Sequence, residues 1–220
     1  MNPETTDPIT EVAPDVYDLT LSREPARYRS FVFDWDVPTL VDTGPSDTSE
    51  ILLDRLESIG IIPERLILTH GDHDHVGGFD AVVDEYNPET VVPVQTSLDT
   101  NYEADIRYEH ENQIGPLTAV HIPGHCADNY ALVADERSIA VLGDAMIGSD
   151  WRGLPAGYFI MVEAIYSDDL IAAEQNVERL QEYEFDTGLV FHGSSVFEKA
   201  REKIDSFVDF PNKRTWDTNT

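Results

Sequence analysis

The segment from Thr69 to Gly78 contains a dense group of side chains that could bind a metal ion. Three imidazoles and two carboxylates fall within six positions directly after the apolar run Leu66–Leu68, namely His70, Asp72, His73, Asp74 and His75. Carboxylates this close repel one another unless a cation lies among them, and imidazole with carboxylate suits zinc, iron or manganese. The pattern therefore predicts a metal site, with a solvated acidic loop as the alternative interpretation.

Three more residues of ligand type follow or end strand-like segments later in the chain: His125, Asp144 and His192. Upstream, Asp42 repeats the pattern after the apolar run Thr39–Val41. A glycine near each of them would let the backbone turn sharply and approach a bound ion. Any one of them alone is typical of a structural residue or a plain turn, but their repetition favours one metal-binding design.

The order of these motifs resembles that of the metallo-β-lactamase superfamily, in which an Asp, a His-x-His-x-Asp-His block, and then His, Asp and His follow at strand ends. The resemblance covers about residues 15 to 200, and Thr69 before the block and Gly77–Gly78 after it also fit. It implies an α/β fold, the four-layer αββα sandwich of that family, and it points to the glyoxalase II-like branch.

The same resemblance implies which residues bind metal. One ion would be bound by His70, Asp72 and His125, a second by Asp74, His75 and His192, with Asp144 bridging the two. Asp42 would be a buried hydrogen-bonding residue that organises the loop. The implied cofactors are two divalent ions, zinc first, with iron or manganese as alternatives.

One position departs from the family pattern, because Asp72 stands where most members have the second His of the block and His73 is displaced by one. Asp72 could still bind metal and make the first site more anionic, which suits iron or manganese better than an all-imidazole site. A shifted loop could instead bring His73 to the metal. The third alternative is that Asp72 points to solvent and the first site is weak or empty.

The elements that must position these residues alternate between strand and helix. Asp47–Glu50 resembles a helix N-cap followed by Leu52, Leu53, Leu56 and Ile59 at helical spacing up to Gly60. Strand-like pieces are expected within 15–42 and at 65–68, 91–94, 117–122, 129–134, 138–142 and 188–191. Further helices are expected near 78–86, 168–183 and 195–210, with Asp168–Asp169 at the start of the second.

The segment from Ala145 to Tyr166 is the expected substrate wall. It lies between the ligand candidates Asp144 and His192, and it carries the proposed substrate-binding residues Trp151, Tyr158 and Tyr166. A loop rich in large apolar groups is expected to cover an apolar surface, such as a substrate pocket. The alternative is ordinary packing over the sheet. If the loop faces the site, Tyr158 or Tyr166 could donate a hydrogen bond to a developing oxyanion.

Composition sets the context for this site. The 220 residues include 43 acidic and 14 basic side chains, a net charge of −29 spread along the chain. One domain over residues 1–220 is expected, with flexible ends at 1–12 and 212–220. Concentrated salt would screen this repulsion, so the charge is typical of a salt-adapted cytoplasm such as that of a halophilic archaeon. The alternative is an ordinary acidic protein.

The sequence shows no secretory signal at its start and no apolar run long enough to span a membrane, which favours a soluble cytoplasmic protein. The single cysteine, Cys126, excludes an intrachain disulfide. It follows His125, so it could be a soft metal ligand, although a small packed residue is the favoured interpretation. His121 is expected to be structural, and His110 to be exposed.

These observations favour a metal-dependent hydrolase of an ester, thioester or lactone in a small molecule. Two cations would generate hydroxide near neutral pH, with Asp74 as the catalytic residue that orients the nucleophile or accepts its proton. Glutathione specificity is not expected, since only 28 residues follow His192. The alternatives are an iron-dependent oxidoreductase, either a sulfur dioxygenase or a di-iron enzyme, and then a nuclease. Neither nucleic acid nor membrane is an expected partner, and a homodimer is left open.

Overall fold

The computed structural model describes residues 8–23 and 27–210. The chain forms two compact units, of which the first ends at Glu109 and the second begins at His110. The expectation of one domain stays a prediction. Of its expected flexible ends, residues 1–7 and 212–220 lie outside the described residues, while Ile9–Ala13 forms a strand.

The first unit is built on a seven-stranded sheet whose strands follow one another in chain order. Pairing is antiparallel from β1 to β4 and parallel from β4 to β7. The strands are β1 (Ile9–Ala13), β2 (Val16–Ser22), β3 (Tyr28–Phe33), β4 (Thr39–Val41), β5 (Arg65–Ile67), β6 (Glu89–Pro93) and β7 (Ile106–Tyr108).

Three helices connect the parallel strands of the first unit: α1 (Ser49–Ile59), α2 (His73–Val76) and α3 (Phe79–Tyr86). Leu52 and Leu56 of α1 are fully buried against a core that also contains Phe79 and Val82 of α3. This confirms the expected apolar stripe. Gly60 ends α1 in the left-handed conformation, at φ 70°.

The predicted start of α1 was wrong by one residue. A short 3₁₀ turn, Ser46–Thr48, precedes the helix, so Thr48 rather than Asp47 occupies the N-cap position, and its side chain makes no capping hydrogen bond there. Thr48 Oγ1 instead donates to the carbonyl of Pro45 at 2.8 Å. The loop that follows β4 therefore uses this side chain to shape its own turn.

The second unit is built on a five-stranded sheet in the order β14-β11-β10-β9-β8, in which only β11 and β14 pair in parallel. Its strands are β8 (Gln113–Ile114), β9 (Leu117–His121), β10 (Tyr130–Ala134), β11 (Ile139–Val141) and β14 (Thr187–Leu189). A separate hairpin pairs β12 (Ile147–Gly148) with β13 (Phe159–Ile160).

Two helices, α4 (Leu170–Asn176) and α5 (Ala200–Val208), complete the second unit. Asp169 caps α4 by accepting hydrogen bonds from the backbone of Ile171 and Ala172, which confirms the helix start expected at Asp168–Asp169. The predicted helix 168–183 is shorter, because 3₁₀ geometry replaces it from Val177 to Glu182. The predicted helix 195–210 begins only at Ala200, because Val196 pairs with Gly188 as an isolated bridge.

Among the described residues, no helix combines the length and the apolar character needed to cross a bilayer.

Candidate metal centre

Asp42 organises the first group of candidate ligands. It is fully buried at the end of β4, and its two carboxylate oxygens accept three hydrogen bonds. Thr69 donates to them through its backbone nitrogen (2.7 Å) and its hydroxyl (2.6 Å), and His75 donates through Nδ1 (2.7 Å). Asp42 also adopts φ 56°, which is unfavourable for a residue other than glycine. The expectation of a buried hydrogen-bonding residue is confirmed.

These hydrogen bonds fix which nitrogen of each imidazole is left to bind metal. The Asp42 carboxylate can only accept, so His75 carries its proton on Nδ1 and its lone pair on Nε2. The Thr69 hydroxyl gives its proton to Asp42, so at 3.0 Å it accepts from Nδ1 of His70. His70 and His75 are both buried, with ring centroids 4.0 Å apart. Both therefore present Nε2 in the form that metals require.

The loop that carries the two histidines is held against the end of β4 by its backbone. The backbone nitrogen and the hydroxyl of Thr43 both donate to the carbonyl of His75, at 2.7 and 2.9 Å. Gly77 comes so close to the backbone of Ser46 that a Cβ there would overlap the Ser46 nitrogen. Glycine is needed at this position for close approach, since its φ of −61° is ordinary.

Asp72 and His73 differ in their surroundings. Asp72 Oδ2 lies 3.8 Å from Nε2 of His70, and the Asp72 side chain is 44% exposed. The side chain of His73 is 90% exposed, and its Nδ1 lies 3.9 Å from Oδ1 of Asp74. Of the two, Asp72 is therefore the one placed beside the fully buried imidazole of His70. The short helix α2 turns His73 away from His70 and leaves Asp74 mostly buried.

In the second unit, Asp144 lies between two imidazoles. Its Oδ2 is 3.6 Å from Nε2 of His125 and 3.5 Å from Nε2 of His192, and all three residues are buried. Both distances lie at or beyond the long end of hydrogen bonding. Three donor atoms of the kind that zinc, iron and manganese prefer thus meet in a small buried volume.

A buried asparagine that sequence reasoning missed positions Asp144. The Asn129 side chain accepts from the backbone nitrogen of Asp144 at 3.0 Å and donates to the carbonyl of Ile122 at 3.0 Å. Its only signal in the sequence is a polar residue placed directly before the apolar strand β10. By joining the turn after β11 to the end of β9, Asn129 holds Asp144 near His125.

The three aromatic residues of the expected substrate wall have different surroundings. The Trp151 ring lies 5.4 Å from that of His192, and its Nε1 donates to Glu163 at 3.0 Å. Tyr158 instead lies under Lys203 of α5, whose Nζ is 5.6 Å from the ring centroid. Tyr166 is 65% exposed. Two residues further on, the backbone nitrogen of Asp168 donates to the carbonyl of His125 at 2.8 Å.

Two other histidines behave as the sequence predicted. His121 stacks on Tyr130 and its Nε2 donates to the carbonyl of Ala127 at 2.8 Å, so it is structural. Burial lowers the pKa of His121, while the hydrogen bond to Ala127 opposes that shift. His110 is exposed, as expected. Cys126 is a half-buried free thiol.

The family model described as Metallo-beta-lactamase superfamily matches residues 36–211 of this chain. The Beta-lactamase-like protein 2 homolog of Caenorhabditis elegans is 26% identical over 187 residues, which are 80% of this chain and 58% of that protein. The chain thus spans less than two thirds of this relative. A Hydroxyacylglutathione hydrolase of Photorhabdus laumondii is 48% identical over 50 residues, 22% of this chain and 20% of that enzyme.

Among solved structures, a Metallo-beta-lactamase from Pontibacter korlensis superposes with a TM-score of 0.72 at 17% identity, covering 94% of this chain and 99% of that one. This likeness confirms the expected α/β fold.

Proposed function

The chain belongs to the metallo-β-lactamase superfamily, and we propose that it is a metal-dependent hydrolase that cleaves an ester, thioester or lactone bond of a small molecule. The observation that carries the proposal is the pair of buried imidazoles, His70 and His75, whose Nε2 atoms are left to bind metal by the hydrogen bonds of Asp42 and Thr69. An imidazole that donates one ring N–H to a carboxylate or another fixed acceptor and keeps its lone pair on the other nitrogen is typical of metal-binding histidines.

The donor set fits divalent transition metals. In the first unit the proposed ligands are His70, Asp72, Asp74 and His75; in the second they are His125, Asp144 and His192. Nitrogen and carboxylate oxygen suit zinc, with iron and manganese as alternatives. When bound, such ions supply hydroxide near neutral pH and polarise the carbonyl under attack. The expected division of these ligands between two ions stays a prediction.

We assign Asp72 rather than His73 as a ligand, because Asp72 lies beside His70 whereas His73 is almost fully exposed. The Asp74 carboxylate is mostly buried, and we assign it the task of orienting the nucleophile or accepting its proton. Tyr158 or Tyr166 is the proposed donor to the oxyanion, since both side chains are largely exposed.

Support for an apolar substrate comes from the short 3₁₀ turn Ala164–Tyr166, whose Ile165 is 83% exposed. The segment that contains it starts at Glu163, whose carboxylate accepts from Trp151 beside His192. It ends at Asp168, whose backbone nitrogen donates to the carbonyl of His125. The exposed side chains thus lie on a segment fastened near two proposed ligands. We propose that Trp151 and Tyr166 contact the non-reacting part of the substrate.

A thioester is the favoured bond within this class. Its support is the local similarity to a Hydroxyacylglutathione hydrolase, which covers only about a fifth of the chain. The test is a panel of thioesters, oxygen esters and lactones assayed with protein loaded with zinc, manganese or iron.

An iron-dependent oxidoreductase is the second candidate, because Asp72 beside His70 adds negative charge to the first group of ligands. The test that separates the two is oxygen uptake with a persulfide against thioester cleavage. Oxygen consumption by the iron-loaded protein, without any hydrolysis, would overturn the hydrolase. Cleavage of RNA instead would identify a nuclease.

We further propose that the protein works in a salt-adapted cytoplasm. The support is the net charge of −29, which costs stability through self-repulsion unless salt screens it.

A further inference from the structure

The loop that carries His192 is fastened to the segment that follows Asp144. His192 lies three residues beyond the end of β14, and its carbonyl accepts a hydrogen bond from the backbone nitrogen of Gly148 at 2.9 Å. The next residue, Gly193, has φ 72°, which only glycine adopts easily. The backbone therefore turns sharply directly after the proposed ligand, and something must fix the chain beyond that turn.

The carboxylate of Asp150 provides that fixation. Its Oδ1 accepts from the backbone nitrogen of Ser194 at 2.6 Å, and its Oδ2 accepts from the hydroxyl of the same residue at 2.7 Å. Both bonds are short and charge-assisted, which makes them stronger than bonds between neutral groups. The segment from Gly148 to Asp150 thus holds the loop on both sides of Gly193.

The first unit contains the same arrangement beside its own proposed ligands. Asp42 accepts from the backbone nitrogen and from the hydroxyl of Thr69, through one carboxylate oxygen each. Thr69 directly precedes His70, and Ser194 follows His192 by two positions. In both cases an aspartate distant in sequence fixes a hydroxyl residue within two positions of a histidine that is proposed to bind metal.

We propose that Asp150 and Ser194 form a positioning pair that sets the place of the His192 imidazole relative to Asp144. The inference rests on the proposed function, because it takes His192 and Asp144 as metal ligands. Metal ions tolerate only small deviations in ligand distance, so residues that orient a ligand affect metal affinity without touching the ion. Trp151, which directly follows Asp150, is held by the same turn with its ring beside that of His192.

The first unit also offers a matched control. Asp105 accepts from the backbone nitrogen of Thr90 at 2.9 Å and from its hydroxyl at 2.7 Å, through the same carboxylate oxygen. Neither residue lies near a proposed ligand in the sequence. A substitution of Asp105 therefore measures what such a pair contributes to stability alone.

The experiment compares Asp150→Ala, Asp150→Asn, Ser194→Ala and the control Asp105→Ala with the wild type. Metal-free protein is titrated with cobalt(II), whose visible absorption reports ligand geometry, and Tm of the metal-free form is measured separately. We expect Asp150→Ala and Ser194→Ala to weaken cobalt binding about 10-fold or more and to change the absorption bands. Asp150→Asn should keep the cobalt affinity and the absorption bands of the wild type, because its amide can accept from the Ser194 nitrogen and donate to the Ser194 hydroxyl. Asp105→Ala should lower only Tm.

Unchanged cobalt affinity and unchanged bands in Asp150→Ala and Ser194→Ala would overturn the positioning role. If Asp150→Ala does not fold, Ser194→Ala decides the matter, because it deletes a single hydroxyl. A wild type that takes up no cobalt would overturn both this inference and the proposed function. If cobalt binding depends on Asp150 but the protein has no hydrolase activity, the positioning pair is supported and only the proposed hydrolase function is overturned.

Discussion

The Oδ2 atom of Asp42 lies 2.7 Å from Nδ1 of His75, 33 residues away in the sequence, and neither side chain is exposed to solvent by more than 1%. This contact determines the chemistry of the imidazole, because it places the proton on Nδ1 and leaves Nε2 as the metal-binding nitrogen. It also satisfies a buried carboxylate, which would otherwise be costly to desolvate.

We expect Asp42→Asn to weaken metal binding, because the amide cannot accept from His75 and Thr69 together as the carboxylate does. Removing such an outer contact typically lowers metal affinity about 10- to 100-fold. The measurement is zinc affinity by competition with a chromophoric chelator. Asp105→Asn serves as the control, since it alters a carboxylate that also binds a threonine by two hydrogen bonds. Equal affinity in both variants would contradict the role of Asp42.

The assignment of Asp72 predicts a change in metal content. Asp72→Ala should lower the content from about two ions per chain to about one, since a lost ligand weakens a site without preventing folding. His73→Ala should leave the content unchanged, because its side chain is 90% exposed. Elemental mass spectrometry on protein purified in high salt without added metal makes this measurement. A loss of metal in His73→Ala alone would show that the displaced histidine is the ligand.

The exposed turn Ala164–Tyr166 predicts a preference for apolar acyl groups. Burying one methylene contributes about 0.8 kcal/mol, so kcat/KM should rise by up to about fourfold for each added carbon. Ile165→Ser and Tyr166→Ser should flatten this dependence on acyl length. Ile62→Ser, at a position in the first unit that is 65% exposed like Tyr166, should not change it. The same dependence on acyl chain length in all three variants would show that the turn does not contact the substrate.

The half-buried imidazole of His121 predicts a loss of stability on acidification. Burial lowers its pKa in the folded state below the unfolded value near 6.5. The unfolded chain then binds more protons, so the contribution is full above about pH 6.5 and is lost as the pH falls through the lowered pKa. Thermal unfolding of metal-free protein between pH 7.5 and about 5 should show a shallower pH dependence for His121→Gln. His73→Gln, which alters an exposed ring, should follow the wild type.

Local repulsion between helices α1 and α3 predicts salt-dependent stability. Glu57 and Glu85 line one cavity of about 460 Å³ beside Tyr86, and burial together with these two carboxylates raises the pKa of the Tyr86 hydroxyl. The double variant Glu57→Gln and Glu85→Gln should have a higher Tm than the wild type at low salt. The difference should shrink in about 1 M KCl, where the screening length is about 3 Å. A difference that is independent of KCl would rule out charge repulsion as its cause.

The sequence by itself determined the types of the candidate ligands and most of the elements that carry them. The α1 stripe, strands β5, β9 and β10, and the cap of α4 could all be predicted, because periodicity and capping depend on neighbours a few residues apart. The start of α1 and the shortened helices at 170 and 200 could not, since local turns and the Gly188–Val196 bridge compete with helical propensity there.

Tertiary structure alone decided how the candidate ligands are held. The bond from His75 to Asp42 spans 33 residues, and the bonds from Ser194 to Asp150 span 44. No local pattern contains such pairs, and neither Asn129 nor Asp150 could be identified before the strands were placed. The different surroundings of Asp72 and His73 were likewise set by tertiary structure. Both are ligand types at adjacent positions, and only the direction of the α2 turn places one beside His70 and exposes the other.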